Sequence, residues 1–312
     1  MPEARAIRLV PLKKRQSKVD LAALGARPVK GVRFRDFWAG LPDILAVKNM
    51  RFLVERIRVA RRLKKPVIVM FGAHVIKAGL SRYLGMLAQE GWVTALATNG
   101  ASVIHDFELS YAGHTSEDVA KNLAQGTFGF AAETGMNLNA WAKEAAASGK
   151  GLGFTVGERI AKSDFPNKGL SLYGTCYRLK IPACVHVAIG TDIVYQHPDC
   201  DGGAWGRASF DDFKKLTDVV GKLDGGGVVM NWGSAVLMPE VFLKALAINK
   251  NLGKSFRGIT TANFDMITHY RPRMNILERP TQEEGSAAVN IIGHHELLLP
   301  LLAQALLDQS DD

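Results

Sequence analysis

The stretch PVIVMFG, residues 66–72, is a proline, five apolar residues and a closing glycine. A short apolar run without alternation reads as a strand buried on both faces, the kind found in parallel sheets. Upstream, Ile44, Leu45, Val47, Met50, Leu53, Val54, Ile57, Val59 and Leu63 recur mostly at spacings of three and four, which predicts an amphipathic helix over 43–64 ended by Pro66. Downstream, a helix over about 75–90 leads to a second strand, VTALATNG (93–100), and another helical stretch. The alternation continues with helices near 137–147, 169–180, 210–223, 236–249 and 296–307, and with strands over 183–190, 227–232, 256–263 and 287–293. Strands separated by helices of this length predict right-handed βαβ units. The expected fold class is α/β: a doubly wound, mostly parallel, Rossmann-like sheet. We expect one dinucleotide-binding domain over 43–312, a helical N-terminal extension over 1–42, and a looped excursion near 108–170.

The 312 residues are 47% hydrophobic, enough for a large core without staples. Cys176, Cys184 and Cys200 form no C-x-x-C pair, which argues against a disulfide framework or structural zinc. No stretch supplies the roughly 20 apolar residues of a membrane span, and the basic start has no apolar leader core, so we expect a cytoplasmic protein. The net charge of +9 raises the question of nucleic acid. Much of the excess, however, lies in Lys13–Arg15 and in the helix from Lys48 to Lys65, where a solvated helix face explains it, so a nucleic-acid partner is not expected.

In an open parallel sheet, ligands bind beyond the carboxyl ends of the strands. The segments closing the strands are Gly72-Ala73-His74, Thr98-Asn99-Gly100, Gly190-Thr191-Asp192, Asn231-Trp232-Gly233, Thr261-Ala262-Asn263 with Asp265, and Gly293-His294-His295. Glycines admit a cofactor close to the backbone, Thr and Asn supply hydrogen bonds, and Asp accepts from ribose hydroxyls. Each glycine alone is equally a plain turn. No G-x-G-x-x-G, P-loop or G-x-S-x-G is present, and Gly225-Gly226-Gly227 comes before its strand. His105, Asp106 and Glu108 follow the second strand; His105 and Glu108 share a helix face and suit acid–base work, while Asp106 and Glu108 equally suit a helix N-terminus. His294-His295 lacks a third ligand, so no metal is expected. Residues 197–206 read as an ordered loop.

This string of strand ends resembles the deoxyhypusine synthase family over most of the chain from about Pro28. The likeness rests on PVKG (28–31), GAHVIKAGL (72–80), ATNGAS (97–102) in place of the family's Thr-Ala-Gly-Gly turn, AIGTD (188–192), GGGVVMNW (225–232), TTANFD (260–265) and LLLPLL (297–302). It implies an NAD-binding fold, a homo-oligomer (a tetramer in the family), and NAD contacts at His74, Thr98, Asn99, Gly100, Asp192, Gly226, Gly227, Thr261, Ala262, Asp265 and His294. The chain departs from the family at Met230-Asn231, where the family has Lys-His, and in RPRMNILERPT (271–281), which lacks the family's imine-forming lysine; no lysine follows Lys254. Residues 99–108, NGASVIHDFE, instead resemble the NAD-dependent ornithine cyclodeaminase domain of arginine-degrading bifunctional enzymes. Both resemblances imply NAD-dependent hydride abstraction from an amine or amino acid to give an imine. His105 or Asp106 is then the expected base, Asp192 or Glu108 the ammonium holder, and Trp232 a wall beside the nicotinamide. The alternative is a non-catalytic NAD-binding protein that kept the fold.

Overall fold

A computed structural model describes residues 7–308; the first six residues of the expected extension and the last four of the chain lie outside it. In chain order the elements are α1 (Phe34–Gly40), α2 (Leu45–Arg62), β1 (Val67–Phe71), α3 (His74–Lys77), α4 (Ser81–Gln89), β2 (Ala95–Asn99) and α5 (Gly100–Ala112). Then come α6 (Val119–Ala124), α7 (Ala132–Ser148), α8 (Leu152–Lys162), α9 (Leu172–Leu179), β3 (Ala183–His186), α10 (Gly202–Val220) and β4 (Val228–Trp232). The chain closes with α11 (Leu237–Asn251), β5 (Thr260–Asp265), α12 (Tyr270–Pro272) running into a π-helical turn, β6 (Ala287–Ile292) and α13 (His295–Leu307). The strands form one parallel sheet in the order β3-β2-β1-β4-β5-β6, so the α/β reading holds and the strand order reverses between β1 and β4.

Every residue of β1, β2 up to Thr98, β3, β4 and β5 is buried, because helices cover both faces. Val69, Phe71, Leu96, Val185, Met230 and Phe264 pack in one layer with Leu53 and Ile57 of α2. Ile68, Met70, Ala97, Cys184 and Val229 pack in the other, with Leu216 of α10 and Phe242 of α11. Beside Met70 that second face turns polar. Asn231, Asn263 and Asn290 stand in register across β4, β5 and β6, with Asn231 Nδ2 donating to Asn263 Oδ1 (2.8 Å) and Asn263 Nδ2 to Asn290 Oδ1 (3.0 Å). A one-residue slip would break every rung and bury unpaired amides, so the ladder enforces register.

The basic run of α2 is not simply a solvated face. Arg51 donates to the carbonyls of Trp38, Ala39 and Leu41, Arg56 to Thr260 Oγ1 and Gly258 O, and Arg61 lies over the Trp92 ring. These side chains fasten the N-terminal segment and β5 to the helix. Among the described residues the extension carries two 3₁₀ turns and α1, with Trp38 in the core. No helix of the described residues is long and apolar enough to cross a membrane.

Several extents differ from expectation. The excursion near 108–170 is mostly helical, since α6, α7 and α8 fill it; α8, unforeseen, has its apolar face buried. The stretch 197–206 is not all loop: α10 starts at Gly202, where the Asp201 carboxylate accepts from Ala204 N (3.0 Å) and the buried Trp205 donates to Asn139 (2.7 Å), which outweighs three poor helix formers. β5 starts at Thr260, four residues later than expected.

Asp212, fully buried on α10, ties three elements together. Its Oδ2 accepts from Gly153 N and Val185 N (both 2.9 Å), and its Oδ1 has no partner. Burial pushes its pKa up to about 7. The folded state therefore holds a proton that the unfolded chain releases near pH 4, and stability conferred at low pH is lost as pH rises to about 7. Asp212→Asn keeps one acceptor oxygen and removes the charge. We expect its urea midpoint to match or exceed that of the wild type at pH 7.5, with the difference narrowing or reversing toward about pH 4.5; a variant less stable at both pH values would contradict this.

Candidate functional site

A cavity of about 220 Å³ opens beyond the carboxyl ends of β2 and β3, walled by Lys77 of α3, Ile104, His105 and Glu108 of α5, and Asp192 and Ile193 after β3. Three successive βα connections thus converge on it, as the doubly wound topology requires. α5 ends at Gly113 in the left-handed conformation, and Ser116 also takes positive φ (67°), a rare conformation for serine. These two reversals fold residues 114–117 back over the helix and bring Thr115 to the side chains it left behind.

Thr115 Oγ1 lies 2.7 Å from His105 Nδ1 and 2.5 Å from Glu108 Oε2, and Glu108 Oε1 accepts from Thr134 Oγ1 at 3.1 Å. A hydroxyl has one proton, and an ionised carboxylate accepts only. Thr115 therefore donates to Glu108 and accepts from His105 Nδ1–H. That assigns the imidazole its Nδ1–H tautomer and leaves the Nε2 lone pair without a partner among the described residues. Burial, aided by the nearby Lys77 ammonium, lowers His105 to about 4, so the ring is neutral at physiological pH.

Across the cavity stands Asp192. Its half-buried carboxylate accepts no hydrogen bond from the described residues, and burial lifts its pKa to about 6. It rests on the Cα of Gly100, where a Cβ would collide with it. Glu117 also lines the cavity, but its oxygens are engaged by Gly129 N (2.9 Å) and Asn122 Nδ2 (2.7 Å).

The structure brings together His105, Glu108, Gly100 and Asp192 from the expected set and adds Lys77, Thr115 and Glu117. His74 and His294 stand exposed at the same edge of the sheet, past β1 and β6, with the buried Asp265 at the end of β5 accepting from Met266 N at 2.8 Å. Other expected residues lie elsewhere. Asp106 does not face the cavity: it is buried, accepting from Ser171 Oγ (2.5 Å) and Leu172 N (2.8 Å), and so caps the start of α9. Trp232 is core, its indole stacked on Phe264 with ring centroids 3.7 Å apart. Gly226 and Gly227 precede β4 and sit at the amino edge, opposite the cleft, with Gly227 N bonded to Leu223 O. Thr261 and Ala262 are buried in the first half of β5, because that strand begins later than expected. Thr98 is buried against Ser102, and Asn99 caps α5 by accepting from Ser102 N. Among the described residues no cluster of His, Cys, Asp or Glu could hold a metal ion.

No family model matches the chain, and no curated protein matches its sequence. Solved structures do match in fold. The apo structure of ArgZ, an arginine dihydrolase from the ornithine–ammonia cycle in cyanobacteria, aligns at TM-score 0.53 and 17% identity over 86% of this chain and 34% of its own. AgrE in its ternary complex with ornithine and NAD+ aligns at TM-score 0.50 and 18% identity over 83% of this chain and 32% of its own. A candidate deoxyhypusine synthase from Entamoeba histolytica aligns more loosely, at TM-score 0.45 and 12% identity over 91% and 96% of the two chains. The likeness is one of fold, and this chain spans about a third of the length of ArgZ and AgrE.

The Thr115 bridge has a direct spectroscopic consequence. In Thr115→Val the His105 Nδ1 loses its acceptor, so ¹⁵N chemical shifts of the ring should move from the Nδ1–H form to a tautomer mixture, and Thr115→Ser should restore the wild-type pattern. Identical shifts in wild type and Thr115→Val would refute the bridge.

Proposed function

We propose that the protein is an NAD-dependent enzyme that oxidises a small cationic amine or amino acid at the carbon bearing nitrogen, yielding an imine. The observation that carries this is Asp192, a half-buried carboxylate without a partner among the described residues, facing a neutral histidine backed by a threonine and a glutamate in one small cavity. An ammonium group would satisfy Asp192, and Lys77 would pair with a substrate carboxylate. His105 Nε2 would take the proton released from the substrate nitrogen, with Glu108 behind Thr115 stabilising the imidazolium.

The dinucleotide would lie along the crevice between β1 and β4. The strand order reverses there; Gly72 packs so closely on Gly233 that a Cβ on it would come within 3.1 Å of the Gly233 carbonyl, and the buried His295 ring lies against Gly233. His74, Asp265 and His294 border the same edge and would hold it. NAD bound there would supply the hydride acceptor. The fold similarity to AgrE, solved with ornithine and NAD+, supports this choice of cofactor and substrate class. With no lysine after Lys254, transfer through the imine-forming lysine of deoxyhypusine synthase is not part of the proposal.

Calorimetry with NAD followed by ornithine as probe, with NADH absorbance as readout, tests it. Wild type should bind both and form NADH; His105→Gln should bind both yet turn over about 100-fold or more slowly, and Asp192→Asn should chiefly raise KM. Absence of NAD binding would sink the proposal. Asp192 ionises near 6 while His105 stays neutral above about 4, so amine affinity should rise between about pH 5 and pH 7.5. A flat profile in wild type would remove Asp192 as the cation site.

A further inference from the structure

At the other end of β3 lies a larger cavity, of about 710 Å³, between α8, α9 and the second half of α10. Its rim carries Arg178, Lys180, Lys215 and Lys222 against one carboxylate, Asp218, and its walls include the Phe154 and Tyr177 rings. Cations on the same helices are paired elsewhere: Lys162 with Glu158, Lys214 and Arg207 with Asp211. None of the four rim cations forms an ion pair within 4 Å among the described residues, although Lys215 acts on the buried Asp212 electrostatically; Arg178 donates to the Thr175 hydroxyl (2.9 Å) and Lys215 to the Lys150 carbonyl.

A second observation points the same way. Lys180 occupies the left-handed position (φ 57°) that ends α9, where glycine is the ordinary choice and a lysine is strained by roughly 1 kcal/mol. The strain leaves a cation on the cavity rim where glycine would leave none. Cys176, also in the lining, is buried and pushed up to about 12, so its thiol stays protonated.

We propose that this cavity binds a small organic anion with an aromatic or otherwise apolar body and at least two negative charges, at a site separate from the amine cavity. Three net positive charges around aromatic walls favour such a ligand over a neutral one, and the volume falls within the range of small-molecule pockets.

The probes are phenyl phosphate and, for charge without the ring, inorganic phosphate, titrated by calorimetry into the whole chain. Phenyl phosphate should bind one per chain, more tightly than phosphate and more weakly as salt rises. The exposed double variant Arg178→Gln/Lys222→Gln should weaken it about tenfold or more while leaving NAD affinity unchanged. Lys180→Gly separates folding from binding: relief of the left-handed strain should raise Tm while phenyl phosphate affinity falls. No saturable binding to wild type, equal affinity for the two probes, or unchanged affinity in both variants would each overturn the proposal.

Discussion

β1 is hydrogen-bonded along its whole length to β2 on one side and β4 on the other, and every residue from Val67 to Phe71 is buried. With helices covering both faces, its backbone groups take the neighbouring strands as their partners. Because the chain leaves β1 toward β2 and β3, then returns to β4, the connections part above it and open a crevice. The strand-end glycines belong to the same constraint. Gly72 N donates to Trp232 O, Gly233 N to Phe264 O and Gly293 N to Asp265 O, at 2.9–3.0 Å, so each continues the ladder one rung beyond its strand. Gly72 is thus required by close packing of backbone on backbone, and Gly233 by the His295 ring that lies against it.

The cavity beside α5 depends on a different economy. α5 offers two carboxylates two residues apart, and the fold uses them oppositely. Asp106, on the inner face, is consumed in starting α9, and burial raises it to about 6. Glu108, on the half-buried face, meets Thr115 and through it His105. The helix phase alone decides which carboxylate becomes structural and which stays near solvent. Ser116 holds a backbone conformation that an ordinary loop would avoid, and this positions the Thr115 hydroxyl between the other two groups.

Much of this was legible in the residues. β1 was readable because an unbroken apolar run ended in glycine, β2, β4 and β6 because mostly apolar runs did, and His105 and Glu108 because a spacing of three puts both on one face. Thr261 and Ala262 misled because Phe256 and Ile259 supply strand-forming residues before β5 begins, shifting the apparent end of the strand. Asp106 and Trp232 misled for a shared reason: polarity and position near a strand end suggest the cleft, but which way a side chain points depends on packing partners such as Ser171 and Phe264, far away in the chain. Thr115 and Glu117 carried no motif. Their role arises from two backbone reversals, and Ser116 gives no compositional sign of the second.

The distribution of charge ties the two ends of the sheet together. A net +9 looks like a surface property, yet Arg51, Arg56 and Arg61 are spent on backbone carbonyls, a threonine hydroxyl and an indole ring. What remains is sorted by the direction of the strands. Glu108, Glu117 and Asp192 gather with Lys77 at the carboxyl end, while four cations gather with Asp218 at the amino end of β3. Opposite potentials at the two ends of one strand favour ligands of opposite sign, so a cation drawn to Asp192 and an anion drawn to Arg178 would not compete for the same cavity.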